Sequence, residues 1–91
     1  MRFEWDEKKN AKNKRKHGVS FKNAKRVFFD PKRFEEFDRK HSFFEERWIT
    51  VGFSDLIWLT VVFTERNGYV RIISARNANK KEEEAYFYGY C

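Results

Sequence analysis

The chain has 91 residues, carries a formal net charge of +6 and is 20% aromatic. Because a chain of this length supports one hydrophobic core, we expect a single domain over residues 1–91. The one cysteine, Cys91, excludes an intrachain disulfide, and the longest apolar run, residues 56–63, is too short to cross a bilayer, which favours a cytoplasmic protein with no membrane segment. The charge favours a polyanionic partner: nucleic acid, an acidic protein or an anionic surface.

The first predicted elements are a short strand at residues 2–5 and a polar helix. Asp6 is typical of a helix N-cap and Gly18 of a left-handed closing residue, which predicts a helix that runs to about Lys16. Two interpretations of this helix remain open. It is either a solvated cover or a surface that touches RNA or an acidic partner through Lys9, Asn13, Lys16 and His17.

Ser20 predicts the start of a second helix, which ends at Asp30-Pro31 because a residue before proline avoids helical angles. Its apolar residues recur at helical spacing and are predicted to lie in the core: Phe21, Ala24, Val27 and Phe28. The next segment, residues 32–44, reads as a charged loop or short edge strand around Phe34 and Phe37, and it contains His41.

Three strands are predicted at residues 46–53, 57–65 and 69–76, with turns at Ser54-Asp55 and Asn67-Gly68. Alternation predicts one apolar face made of Ile49, Val51, Phe53, Leu59, Val61, Phe63, Val70 and Ile72. If the first hairpin turns around residues 54–56 and the second at Asn67-Gly68, Glu46, Thr64 and Arg71 become cross-strand neighbours and Arg76 points to the other face. With a closing helix at residues 80–87, we expect an α+β fold with a small antiparallel sheet packed against helices.

The residue chemistry favours metal-independent RNA cleavage. The sequence has no Gly-rich phosphate loop, no histidine pair at metal spacing and no Cys-x-x-Cys, so we expect neither a metal nor a cofactor. RNA cleavage needs a base for the ribose 2′-hydroxyl, cations for the phosphate and an acid for the leaving 5′-oxygen. Alternatively, Glu46, Arg66 and Arg71 form a surface ion-pair cluster, and Arg76 pairs with an acid such as Glu83 or with backbone carbonyls.

Three short sequence blocks occur together in this chain. They are KHGV at residues 16–19, EER at 45–47 and RIISAR at 71–76. With Trp5-Asp6, His41-Ser42 and Thr64-Glu65-Arg66, the chain resembles the BrnT toxins. The resemblance implies a type II toxin that cleaves RNA, a fold similar to the RelE ribonucleases, and a cognate BrnA antitoxin that binds both toxin and DNA. Residues 79–84 are more acidic than this resemblance implies.

These observations predict a metal-independent endoribonuclease toxin. Arg76 and Arg66 are its predicted phosphate or transition-state cations, and the proton-transfer candidates are His17, His41 and Glu46. The predicted RNA-binding residues are Lys9, Asn13, Lys16, Arg47, Arg71 and Tyr86. The expected partners are RNA and a BrnA-like antitoxin, with DNA reached only through the antitoxin. The alternative is a non-catalytic module that binds RNA or protein through the sheet face opposite the apolar one, which is predicted to be basic and aromatic because it carries Trp48, Trp58, Arg66, Tyr69 and Arg71.

Overall fold

A computed structural model describes residues 1–89 of the chain, so Cys91 lies outside the described residues. The strands are β1 (Arg2–Glu4), β2 (Phe34–Phe37), β3 (Trp48–Ser54), β4 (Ile57–Arg66) and β5 (Tyr69–Asn77). The helices are α1 (Glu7–His17), α2 (Phe21–Lys25) and α3 (Lys80–Tyr88), with 3₁₀ turns at Arg26–Phe29 and Arg39–His41. None of the helices within residues 1–89 is long and apolar enough to cross a membrane.

The predicted α+β class is confirmed, but the sheet is mixed. Its strand order is β1-β5-β4-β3-β2. The pairs β2–β3, β3–β4 and β4–β5 are antiparallel, as predicted, whereas β1 pairs parallel to β5. The parallel pair sets the first strand beside the last one, with Glu4 in β1 opposite Arg71 in β5.

Both ends of α1 and the start of α2 form where the sequence predicts them, whereas α2 ends at Lys25 and continues to Phe29 as a 3₁₀ turn, before the predicted end at Asp30-Pro31. The Asp6 carboxylate accepts from the backbone N–H of Lys8 at 2.8 Å, and Gly18 closes α1 with a φ of 70°. Ser20 caps α2 through the N–H of Asn23. These interactions are local in sequence, which is why cap chemistry alone was enough to predict them.

The predicted register of β3 against β4 is wrong by one residue. A two-residue turn at Asp55 and Leu56 sets Ser54 opposite Ile57, and Thr50 opposite Val61. A one-residue slip moves every side chain of a strand to the other face. The predicted shared face of β3 and β4 is therefore incorrect: Val51 and its alternate neighbours Ile49 and Phe53 point away from the face of Leu59, Val61 and Phe63.

The core lies between one face of the sheet and the layer made by α1 and α2. Its largest fully buried side chains include Phe21, Val27, Val61 and Ile72. Thr50 is buried on this side as well, where its hydroxyl donates to the Phe34 carbonyl at 2.9 Å. The α3 helix packs on the opposite face, so the sheet is covered on both sides.

A β-bulge changes the orientation of the two arginines in β5. Thr64 pairs with Arg71, but the register shifts between Val62 and Phe63, so that Thr60 pairs with Arg76. The prediction that Arg71 and Arg76 lie on different faces is therefore wrong. An extra residue in β5 restores them to the same face, the one away from α1 and α2.

Candidate functional site

An open cleft lies where β3 begins and β4 ends. Its volume is ≈ 420 Å³, and it is lined by Glu35, Glu45, Glu46, Trp48, Thr64, Glu65 and Arg66. The buried hydroxyl of Thr64 donates to the backbone carbonyl of Glu46 at 2.6 Å. This hydrogen bond fixes the segment that leads into β3 and holds Glu46 beside the end of β4. Two predicted site residues, Glu46 and Arg66, therefore share what we call the β3–β4 cleft.

Glu45 joins the two cations at the cleft. Its carboxylate lies 2.9 Å from Nη2 of Arg66 and 3.7 Å from Nε of Arg47. Among residues 1–89, the buried Nε of Arg47 has no hydrogen-bond acceptor. Sequence reasoning missed Glu45 as a functional candidate, although it belongs to the EER block. Its bridging position depends on Arg66, which is 21 residues away in the chain.

His41 lies in a second cavity that adjoins the cleft. This cavity, of ≈ 200 Å³, is lined by His41, Phe43, Phe44, Glu45 and Arg47. Nδ1 of His41 is 3.0 Å from Oδ2 of the buried Asp38. A carboxylate at Nδ1 keeps the proton on that nitrogen and leaves Nε2 for proton transfer. His41, Arg47, Glu46 and Arg66 are thus brought to one end of the sheet.

Arg76 lies at the other end of the sheet and is held by α3. Its guanidinium pairs with both carboxylate oxygens of Glu82, at 2.8 and 3.0 Å. Thr60, opposite Arg76, also donates to Glu82 at 2.8 Å. Arg66 lies six positions further along β4 than Thr60, which is a distance of roughly 20 Å at strand rise. Arg76 is therefore not part of the β3–β4 cleft, and its partner is Glu82 rather than Glu83.

Arg76 and Glu82 each stabilise the charged form of the other. The hydrogen bond to Glu82 raises the pKa of Arg76, against a smaller opposing effect of burial. For Glu82, burial alone would raise the pKa, but hydrogen bonds from Arg76, from the backbone of Asn79 and from Thr60 together lower it. Glu82 also completes a capping box with Asn79 at the start of α3. The pair thus joins α3 to β5.

Arg71 and Tyr86 also have internal partners. Arg71 pairs with Glu4 of β1 at 2.7 Å, on the same face as Arg76. The Tyr86 hydroxyl donates to Oδ2 of Asp30 at 2.6 Å. Burial and the contact with Asp30 raise the pKa of Tyr86 to about 12. Tyr86 thereby connects α3 to the segment that follows α2.

The candidates on α1 lie on the face of the sheet opposite α3. Asn13 is buried, and its amide makes three hydrogen bonds, to the Val19 carbonyl and to both backbone groups of Ala75. Lys9 and Lys16 are exposed, and His17 is half-buried at the end of the helix. Asn13 is thus a structural link between α1 and β5, whereas the two lysines are open to a partner.

The positive charge of the molecule is concentrated on this helical layer. Residues 6–26 contain nine Lys or Arg and two Asp or Glu, a net charge of +7, so the other residues sum to −1 of the total +6. A layer with this charge attracts polyanions over a distance of about a Debye length. The β3–β4 cleft, by contrast, mixes carboxylates with arginines.

The cleft and the neighbouring cavity hold the groups that acid–base chemistry requires. They bring a carboxylate, an imidazole with an acidic partner and two guanidinium groups to one end of the sheet. Within residues 1–89, no three His, Cys, Asp or Glu side chains are grouped so as to hold a metal ion.

One family model matches the chain. It is described as a ribonuclease toxin, BrnT, of type II toxin–antitoxin systems, and it covers residues 5–82. The matched range includes every site candidate named above except Tyr86. None of the curated proteins compared with the chain matches it.

Proposed function

The chain belongs to the BrnT ribonuclease toxins of type II toxin–antitoxin systems, and we propose that it cleaves RNA by metal-independent acid–base chemistry in the β3–β4 cleft. The family implies an RNA substrate and an antitoxin partner. The observation that carries the proposal is the convergence at one end of the sheet of His41, Glu46 and Arg47, which lie within residues 41–47, with Arg66 at the end of β4.

In the proposed reaction a base removes the proton from a ribose 2′-hydroxyl. The 2′-oxygen forms a bond to the adjacent phosphorus, the bond from phosphorus to the 5′-oxygen breaks, and an acid protonates that leaving oxygen. The products are a 2′,3′-cyclic phosphate and a free 5′-hydroxyl. DNA lacks the attacking group and is therefore not a substrate.

Glu46 is the proposed base and His41 the proposed acid. Within residues 1–89 the Glu46 carboxylate has no ion-pair partner, so its oxygens are available to take a proton, in contrast to Glu45. The Asp38 carboxylate lies 3.0 Å from Nδ1 of His41, which orients the ring and leaves Nε2 to face the leaving oxygen.

Arg66 and Arg47 are the proposed cations for the phosphate. The Glu45 carboxylate hydrogen-bonds Arg66 and lies 3.7 Å from Nε of Arg47, so both guanidinium groups border the same carboxylate. Donors fixed in place before the reaction stabilise the charge that builds on the phosphate oxygens. Arg76 pairs with Glu82 and lies far from Arg66, so we assign it a role in holding α3. His17 lies with Lys9 and Lys16 on the face opposite α3, so we assign these three residues a role in RNA binding.

The test is cleavage of a labelled single-stranded RNA by purified protein in excess chelator. We expect cleavage that stops when the substrate carries 2′-deoxyribose throughout. Arg66→Ala is expected to lower kcat by about 100-fold or more, the loss typical of a fixed donor to a developing charge. Arg76→Ala is the matched control, and we expect it to retain more activity than Arg66→Ala at a temperature where both are folded.

Two results would contradict the proposal. Cleavage abolished by the chelator and restored by a divalent ion would rule out the metal-independent reaction. Greater loss from Arg76→Ala than from Arg66→Ala, with both variants folded, would move the reaction centre to the α3 end of the sheet. RNA binding without any cleavage would favour the alternative, a non-catalytic binding module.

We also propose that a cognate BrnA-like antitoxin neutralises the protein by direct binding, and that DNA is reached only through that antitoxin. Co-expression with a small protein encoded beside the toxin should relieve growth arrest. In gel-shift assays at physiological salt, the complex should bind its own promoter specifically, whereas the toxin alone should not.

A further inference from the structure

Two neighbouring phenylalanine rings point into solvent beside the β3–β4 cleft. Phe43 is 83% exposed and Phe44 is fully exposed. Among residues 1–89, neither ring has an aromatic or cationic stacking partner. Adjacent exposed rings carry an apolar surface that contributes nothing to the core, so they indicate contact with another molecule.

The loop that carries these rings is closed by hydrogen bonds. The N–H of Asp38 donates to the Arg47 carbonyl at 2.8 Å, which joins the two ends of the loop. The Ser42 hydroxyl donates to the Asp38 carbonyl at 2.5 Å and accepts from the N–H of Arg47 at 3.0 Å. The rings therefore project from a fixed base, which lowers the conformational entropy lost when a ligand binds.

The surroundings of the rings match the chemistry of a nucleotide. Both rings line the ≈ 200 Å³ cavity that also contains His41 and Arg47. Residues 39–47 hold three Lys or Arg and two Glu, a net charge of +1 that becomes +2 with Arg66. Proteins bind single-stranded nucleic acid by combining such cations, which track the phosphates, with aromatic rings on which the bases stack.

We propose that Phe43 and Phe44 form a stacking platform for unpaired bases of the RNA substrate, next to the phosphate that is cleaved. This inference rests on the proposed function, since it names a subsite of the same cleft. A base inside a duplex offers no free face to the rings. The platform therefore restricts the protein to single-stranded regions of RNA.

The test compares Phe43→Leu and Phe44→Leu with the wild-type protein. Leucine keeps an apolar side chain but removes the flat ring, so it separates stacking from general apolar contact. The probe is a short fluorescent RNA with 2′-O-methyl groups, which is bound without being cleaved. We expect Kd to rise about 5-fold or more for each ring. Phe44→Trp should bind at least as tightly as wild type.

Two controls isolate the base as the ligand. Leu56→Ala removes another exposed apolar side chain, 89% exposed at the β3–β4 turn, and should leave Kd unchanged. A second probe has the same backbone but no bases. The difference between the wild-type and Phe→Leu proteins should disappear on that probe, because only the phosphate contacts remain. The dependence of Kd on salt should be the same for all variants, since no charge is removed.

The possible outcomes separate this inference from the proposed function. Cleavage by the wild-type protein with equal Kd for all variants would overturn the platform and leave the ribonuclease assignment standing. A ring-dependent Kd without cleavage would support the platform and contradict the ribonuclease. Phe→Leu variants that bind RNA normally but escape neutralisation by the antitoxin would assign the loop to a protein contact and overturn the platform.

Discussion

Replacing Asn13 by alanine is expected to destabilise the whole domain, because this side chain completes an open edge of the sheet. The β1 strand covers β5 only as far as Arg71. Further along that edge, the Asn13 amide accepts from the Ala75 N–H at 3.1 Å and donates to the Ala75 carbonyl at 2.8 Å. It thus supplies the donor and acceptor that a neighbouring strand would otherwise supply. Its second N–H bonds the Val19 carbonyl at 2.9 Å.

The expected loss in the free energy of unfolding follows from these three hydrogen bonds. Each contributes about 1 kcal/mol net, and Asn13→Ala also leaves backbone groups of Val19 and Ala75 without partners in a buried setting. Both of those residues are less than a tenth exposed. We therefore expect the free energy of unfolding to fall by about 3–5 kcal/mol. For a domain of this size, that corresponds to a decrease in Tm of roughly 12 °C or more.

The assay is urea unfolding followed by tryptophan fluorescence, with Lys12→Ala as the matched control. Lys12 is exposed on the same helix, and its substitution should change the free energy of unfolding by less than about 0.5 kcal/mol. If Asn13→Ala unfolds within about 1 kcal/mol of wild type and yet binds RNA more weakly, the structural reasoning is refuted, and Asn13 acts at the RNA-binding surface predicted for it.

Three further changes test other contacts. The pKa of Glu82 is lowered from 4.5, so its contribution to stability is present above pH 4.5 and is lost as the pH falls below it. Glu82→Gln should have a lower Tm than wild type at pH 7, but its Tm should fall less on acidification. Parallel curves of Tm against pH for the two proteins would contradict this. The pKa of Tyr86 is raised from 10.0 to about 12, so its contribution to stability is present below pH 10 and is lost as the pH rises toward 12. Tyr86→Phe should therefore show a smaller fall in Tm at alkaline pH than wild type. An unchanged fall would exclude the contact of Tyr86 with Asp30 as the cause. Gly52→Ala would place a Cβ 2.9 Å from Val27 Cγ1 and should cost about 1–3 kcal/mol in urea unfolding; full stability would show that this contact relaxes freely.

Elements that depend on neighbouring residues could be predicted from the sequence. The caps at Asp6, Ser20 and Gly18 use side chains and backbone groups within a few residues of each other. The Asn67-Gly68 turn has two residues with positive φ, which these two residue types tolerate. The predicted apolar stripe of the second helix also reaches the core, although Val27 and Phe28 lie in the 3₁₀ turn that continues α2.

The register of the sheet could not be predicted in the same way. A three-residue turn at residues 54–56 and the observed two-residue turn at Asp55-Leu56 are both plausible, and the one-residue difference in register between them exchanges the two faces of β3. Because α3 covers the other face, Val51 is buried there, so burial of apolar side chains does not select one register. The bulge at Val62 and Phe63 likewise has no glycine or proline to mark it.

The sequence by itself determined the α+β class, the caps of α1 and the start of α2 and, through the KHGV, EER and RIISAR blocks, the toxin family. These depend on local chemistry or on patterns that can be read along one chain. Only the tertiary structure decided which candidates lie together. It groups Glu46, Arg66 and His41 at one end of the sheet and pairs Arg76 with Glu82 at the other. The physical reason is that strand register and helix packing are set by contacts between distant residues, and these contacts determine the face and the end at which each side chain lies.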